Sequence, residues 1–162
     1  MIGIYKIENK ITGKVYIGQS KDIERRWKQH TAAAFNPKHS SYFNPFYKDI
    51  RKFGIENFDF SILQTFEKYD KIILDAAELA QMKKFNSLQT GYNIQAALKQ
   101  KIVLEDISTH QTYAFMTFQQ VEDFLHSHSV TKARKIKPYL QRAIKQKTVI
   151  YRKYYIYYWK GD

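Results

Sequence analysis

Apolar positions in the first part of the chain recur with two different periods. Ile4-Tyr5-Lys6-Ile7 and Val15-Tyr16-Ile17 alternate, and their residues are the β-branched and aromatic types that strands favour. Glu8 to Lys14 lies between them and contains Asn9 and Gly13, which are turn residues. The segment therefore predicts an antiparallel hairpin that brings Tyr5 and Tyr16 onto one small sheet. The period then becomes helical: Ile23, Trp27 and Ala34 share a stripe that should face the core, and Ser20 and Asp22 are candidate caps of a helix reaching about Phe35. Arg26 and His30 are four positions apart, so they share a face beside that stripe. Asn36 to Ser41 reads as a loop, and Pro45 to Phe53 as a short helix ended by Gly54. Phe58 to Leu63 alternates as a third strand. Tyr69 to Phe85 is the longest helical pattern, and Asn86-Ser87 and Thr90-Gly91-Tyr92-Asn93 close the unit in loops.

A second unit follows residues 94–100, which read as a short connector. Ile102 to Asp106 and Gln111 to Phe115 predict a hairpin around Ser108-Thr109-His110. Phe118, Val121 and Leu125 have helical spacing, and His126 to Ser129 looks like a turn. Pro138 is tolerated in a first helical turn but not in a helix interior, so a separate helix is expected to start near Lys137 and run to about Lys145. Leu140 and Ile144 would pack inward. Lys137, Gln141, Arg142 and Lys145 would point elsewhere. Tyr154 to Trp159 is strand-like. The pattern as a whole predicts an α+β chain: a small three-stranded antiparallel sheet flanked by helices over residues 1–95, a connector within 96–100, and a helix-turn-helix-like module with short strands over 101–162.

Composition narrows the possible partners. The chain has 162 residues with 44% hydrophobic content, enough for a real core. It contains no cysteine, which excludes disulfides and Cys-ligated zinc and fits a reducing cytoplasm. No signal segment and no run of about 18 apolar residues is visible, so neither secretion nor a membrane partner is expected. The net charge of +12 favours a polyanion, most plausibly nucleic acid. Residues 98–162 carry 12 basic side chains against 5 acidic ones, and no Asp or Glu occurs between Phe124 and Gly161. The same stretch interleaves Tyr139, Tyr151, Tyr154, Tyr155, Tyr157, Tyr158 and Trp159, which suits a surface that meets phosphates on one side and packs on the other.

Glu78 is the sharpest chemical signal in the long helix, because it stands between Leu74 and Met82 on an apolar stripe. A carboxylate there is either a boundary residue paired with a lysine or reaching water, or a metal ligand held on a rigid helix. Arg26, His30 and His39 taken singly read as solvated or structural residues, Asn93 as a turn residue, and Lys14 as an exposed or phosphate-binding lysine.

Taken together these residues resemble a known series. Gly3-Ile4-Tyr5 and Tyr16-Ile17-Gly18, Arg26 and His30 on the first helix, Glu78, and Gly91-Tyr92-Asn93 are similar to the catalytic domain of the GIY-YIG endonuclease family. The order Lys14 to Gly18, Lys21 to His30, His39-Ser40-Ser41, Gly54 to Phe58, Glu78 and Gly91 to Ile94 resembles the phage intron-encoded and free-standing homing endonucleases of that family. The resemblance implies a DNA endonuclease that hydrolyses phosphodiester bonds in double-stranded DNA with sequence preference, leaving a 5′-phosphate and a 3′-hydroxyl. A restriction or repair nuclease of the same fold, and a DNA-binding protein that does not cut, are the alternatives. It also implies catalytic roles for Tyr5, Tyr16, Arg26, His30 and Glu78, supporting roles for Lys14, His39 and Asn93, and one divalent metal ion on Glu78, Mg²⁺ with Mn²⁺ able to substitute. Tyr5 would be the general base or orient the water, and because a phenol starts near pKa ~10, Arg26 would supply the positive field it needs, or bind the scissile phosphate, or both. The second unit resembles the DNA-binding modules that follow such nuclease domains, which makes Lys137, Gln141, Arg142 and Lys145 candidate DNA contacts. No small-molecule cofactor is implied, and the chain would act as a monomer or a DNA-induced dimer. A connector of at most about seven residues spans roughly 25 Å, so either cutting and binding positions lie close together or the two halves pack as one body.

Overall fold

The fold was described from a computed structural model, and the structure describes residues 1–93 and 101–159. These fall into two compact units, one in each stretch. The expected connector, Ile94 at the end of the last matching segment, and the final residues 160–162 lie outside the described residues.

In the first unit, β1 (Ile2–Asn9) and β2 (Val15–Ser20) form the expected hairpin. Its turn is held by Asn9, whose Oδ1 accepts the backbone N–H groups of Ile11 at 3.0 Å and Thr12 at 3.2 Å. Gly13 follows with a φ of 71°, which costs glycine little. β3 (Phe58–Phe66) pairs antiparallel on the other side of β1, giving the order β2-β1-β3 and leaving β2 on an edge. β3 runs three residues beyond the alternating stretch seen in the sequence. It pairs with a register shift between Ile4 and Tyr5, a bulge of the kind that re-aims a neighbouring side chain.

Helix α1 (Ile23–Ala34) starts at Asp22, whose carboxylate accepts from the Arg25 N–H. Helix α2 (Pro45–Phe53) starts at Asn44 with Pro45 in its first turn and stops at Gly54. Helix α3 (Lys71–Lys84) is capped by Asp70, slightly inside the expected limits. Strand alternation separates two packing faces. Tyr5 and Ile7 join Ile23, Ala33, Ala34, Phe46, Tyr47, Ile50, Phe58 and Tyr92 in one core under α1 and α2. Ile4 and Ile17 point to the opposite face, which α3 covers with Leu74, Leu79 and Met82 buried. The expected three-stranded α+β unit is what forms.

The second unit is a four-stranded antiparallel sheet of order β5-β4-β7-β6, built from β4 (Ile102–Asp106), β5 (Thr112–Phe115), β6 (Val149–Ile150) and β7 (Tyr154–Tyr158). Helices α4 (Phe118–Ser127) and α5 (Lys137–Gln146) lie in sequence between β5 and β6. The turn expected at His126 to Ser129 begins later than predicted. Helix α4 continues through Ser127, whose Oγ donates back to the Phe124 carbonyl, and closes at His128. Thr117 and Gln120 make a reciprocal capping box at its start. Helix α5 has no side-chain cap of its own. Instead the buried carboxylate of Glu122 on α4 accepts the N–H groups of Lys135 and Ile136, both at 3.1 Å, and takes the place of that cap.

Candidate active site

Tyr5 and Tyr16 meet as the hairpin predicts. Tyr5 stands opposite Gly18 and the two phenol rings lie 6.3 Å apart between centroids. The Tyr5 ring lies directly on Gly18, where any Cβ would sit 2.4 Å from the Tyr5 hydroxyl. Glycine at position 18 is therefore a requirement of the tyrosine beneath it rather than of a turn. Gly3 answers the same kind of constraint on the other side, since a Cβ there would meet the Gln64 carbonyl at the bulged strand.

Helix α1 delivers Arg26 and His30 to this face. His30 is only 2% exposed. Its Nε2 lies 2.7 Å from the Tyr5 hydroxyl and its Nδ1 lies 2.9 Å from the hydroxyl of Tyr47 on α2. The imidazole also meets Tyr16 edge-on at 5.2 Å, while Tyr16 stacks on Phe46 at 4.8 Å. The Arg26 guanidinium lies close enough for its charge to act on both Tyr5 and Tyr16, and its Nη1 donates to Gln29 at 3.4 Å. His39 stays exposed in its loop and turns its ring edge-on to Tyr47, 5.9 Å away.

Glu78 comes from α3, on the other face of the sheet, at the edge strand β2. Its Oε2 accepts from the Gln19 amide at 2.8 Å, and the same amide nitrogen donates to Asp75 at 2.6 Å. Asp75 is in turn paired with Lys71 at 2.9 Å. Among the described residues no three His, Asp or Glu side chains converge into a closed metal cage. Two carboxylates one helical turn apart do form a hard oxygen donor set. That fits a cation which keeps most of its waters, as Mg²⁺ does.

Electrostatics sets the protonation states. Burial drives the Tyr5 phenol far above its ordinary value, and the neighbouring Tyr16 and Glu78 push the same way. Arg26 supplies the lowering field expected of it, but burial outweighs that field, so Tyr5 is a neutral phenol in the free chain. Tyr16 is raised by burial first and by the charge of Glu78 second. Burial, then Arg26 and His39, hold His30 down to about 3, so the imidazole is neutral near pH 7.

Tyr5, Tyr16, Arg26 and His30 form one contiguous cluster, with the charge of Glu78 close enough to act on both phenols. Asn93 is used as a clamp: its side-chain amide accepts from and donates to the backbone of Ile17, both at 2.8 Å, pinning the open edge of β2 between Tyr16 and Gly18. Lys14 is exposed on the hairpin, with its ammonium 5.7 Å from the Tyr92 ring. Sequence reasoning missed Tyr47, Gln19 and Asp75. A helical stripe of Phe46, Tyr47 and Ile50 could have marked Tyr47 as buried, and Gln19 directly follows the Tyr16-Ile17-Gly18 tripeptide, but neither signal carries a chemical role by itself. In the second unit, Lys137, Gln141, Arg142 and Lys145 are all exposed on α5, while Leu140 and Ala143 pack inward.

A three-stranded sheet carrying paired tyrosines, an arginine–histidine helix and a glutamate helix is the arrangement of one nuclease class. The GIY-YIG catalytic domain family matches residues 1–93, and the chain belongs to the GIY-YIG endonucleases. Over 95 residues it is 38% identical to intron-associated endonuclease 1 of Enterobacteria phage T4, a match that covers 59% of this chain and 37% of that protein. The chain thus spans little more than a third of the length of that relative. Among solved structures, the catalytic domain of the homing endonuclease I-TevI is 36% identical with a TM-score of 0.52, covering 58% of this chain and 98% of that one. A glutamate-to-alanine mutant of that domain matches equally, with a TM-score of 0.52 and 36% identity over 57% of this chain and 92% of its own.

Proposed function

We propose that the chain is a metal-dependent endonuclease that hydrolyses phosphodiester bonds in double-stranded DNA with sequence preference, in the manner of a phage homing endonuclease. The convergence of Tyr5, Tyr16, Arg26 and His30 beside the charge of Glu78 carries this reading. Phosphodiester hydrolysis needs an activated water, stabilisation of the phosphoryl oxygens and relief of charge on the leaving oxygen. Arg26, part-exposed at the rim of the cluster, is suited to hold the scissile phosphate. The neutral His30 accepts a hydrogen bond from the Tyr5 hydroxyl at 2.7 Å and so holds that phenol in place to orient the attacking water. Glu78, steered by Gln19 and neighboured by Asp75, would hold one Mg²⁺ or Mn²⁺ ion. Bound there, such an ion supplies positive charge to the phosphoryl group and acidifies its waters.

The second unit would bind the duplex. Helix α5 presents Lys137, Gln141, Arg142 and Lys145 on one solvent face, and Glu122 fixes the start of that helix from behind. Gln141 and Arg142 are of the types that read adenine and guanine in the major groove, and the lysines suit phosphates.

The test is cleavage of duplex DNA spanning the gene's flanks or its insertion site by the purified chain. Cutting with Mg²⁺, arrest by EDTA, and ends bearing 5′-phosphate and 3′-hydroxyl are expected. Specific binding to such DNA without a cut under any divalent ion would favour a binding protein.

A further inference from the structure

A third tyrosine completes the cluster. Tyr47 is 7% exposed, lies on α2 rather than on the hairpin, and places its hydroxyl 2.9 Å from His30 Nδ1. A neutral imidazole has one N–H donor and one acceptor nitrogen, so its two tyrosine partners cannot play the same part. Tyr5 decides the direction. It is 1% exposed against 7% for Tyr47, so its hydroxyl has less access to water. The Tyr5 O–H therefore needs an acceptor, since a buried hydroxyl proton without one is costly. Among the described residues that acceptor is His30 Nε2, at 2.7 Å. The proton of the imidazole then sits on Nδ1 and is donated to Tyr47.

We propose that Tyr47 is a positioning residue that fixes the tautomer of His30 and so orients the Tyr5 hydroxyl. The hydrogen bonds run in one direction: Tyr5 donates to His30 Nε2, and His30 Nδ1–H to Tyr47. Bonds aligned head to tail polarise one another, and the chain leaves the Tyr5 lone pairs as acceptors. Without the Tyr47 oxygen, Nδ1–H would lose its acceptor in a buried site. The imidazole would then move its proton to Nε2, and the Tyr5 hydroxyl would have to turn away from it. The inference rests on the nuclease reading for its effect on rate, but the tautomer itself is a property of the folded chain.

Tyr47→Phe keeps the ring that packs against Phe46 and removes only the oxygen. Two readouts separate position from bulk structure. Long-range ¹H–¹⁵N correlation of the imidazoles, with His30 assigned by its disappearance in His30→Gln, should show Nδ1–H in the wild-type chain and lose that signature in Tyr47→Phe. On cleavable DNA, kcat should fall roughly 10- to 100-fold, as for partners that orient a functional imidazole, while KM and the melting temperature stay near wild type. An Nε2–H tautomer in the wild-type chain, an unchanged tautomer in Tyr47→Phe, or an unchanged kcat would overturn the proposal. The spectroscopic arm needs no cleavage. A chain that cuts no DNA but shows the tautomer switch removes the nuclease reading and leaves Tyr47 as the residue that sets His30.

Discussion

Acid should unfold the first unit through His30. The imidazole is 2% exposed and held down to about 3, against an ordinary value of 6.5. A group whose folded pKa is depressed contributes stability that is full above its unfolded value and is lost as pH falls toward the folded one. The window is therefore pH 6.5 down to about 3. Between pH 7 and pH 5 the unfolded imidazole becomes almost fully protonated while the folded one stays neutral. The unfolded state gains protons that the native state refuses, which costs the native unit about 2 kcal/mol at pH 5. Urea melts at the two pH values read this out, followed by Trp27, which stacks on Phe60 at 5.0 Å inside the unit. A Trp159→Phe background removes the second tryptophan of the chain from the signal. His30→Gln, which cannot titrate, is the reference. The wild-type chain should lose about 2 kcal/mol more than His30→Gln on going from pH 7 to pH 5. Equal losses in the two would show that the native site accepts a proton freely, and the neutral hydrogen-bonded chain from Tyr5 to Tyr47 would be wrong.

Two further substitutions address separate parts of the account. Gly18→Ala puts a Cβ 2.4 Å from the Tyr5 hydroxyl, so it should destabilise the unit by about 1–3 kcal/mol in chemical melts and depress cleavage by displacing that hydroxyl from His30; a neutral melt would place the Tyr5 ring elsewhere. Replacing Arg142 and Lys145 by alanine should weaken DNA binding and lower the slope of log K against log salt by about 0.9 for each phosphate left without its cation, measured by titration at several salt concentrations; unchanged affinity would remove α5 from the interface.

The helices were legible because their punctuation is local. Asp22 and Asn44 with Pro45 mark starts, and Gly54 marks a stop, each through a hydrogen bond or backbone angle that the residue type itself provides. The hairpin tyrosines were legible from alternation alone. The bulge between Ile4 and Tyr5 was not, because it exists only in the pairing of β1 with β3, far apart in sequence. The same is true of β6, a two-residue strand defined by β7 after a tight turn in which Tyr151 and Arg152 adopt φ values of 50° and 53°. Neither residue type announces such a turn. Helix α4 runs past its expected end to Ser127, a residue type that favours turns, and closes where the His128 N–H returns to the Phe124 carbonyl.

The site divides along the same line. Arg26 and His30 were placed by helical spacing and Glu78 by its apolar neighbours. Tyr47 and Gln19 join the site through hydrogen bonds to partners 17 and 59 residues away in sequence, which no local pattern encodes. Asn93 was open between turn and substrate roles, and its two bonds to Ile17 show a strand-edge clamp that positions Tyr16.

The central claim is that this chain cuts DNA with the cluster assembled around Tyr5 and a metal ion on Glu78. The most direct measurement compares cleavage and binding of the same target duplex by the wild-type chain and Glu78→Ala in Mg²⁺. The account predicts that Glu78→Ala loses cleavage while its affinity for the duplex stays within a few-fold of wild type. Cleavage that survives in Glu78→Ala, or binding that collapses together with cleavage, would contradict it.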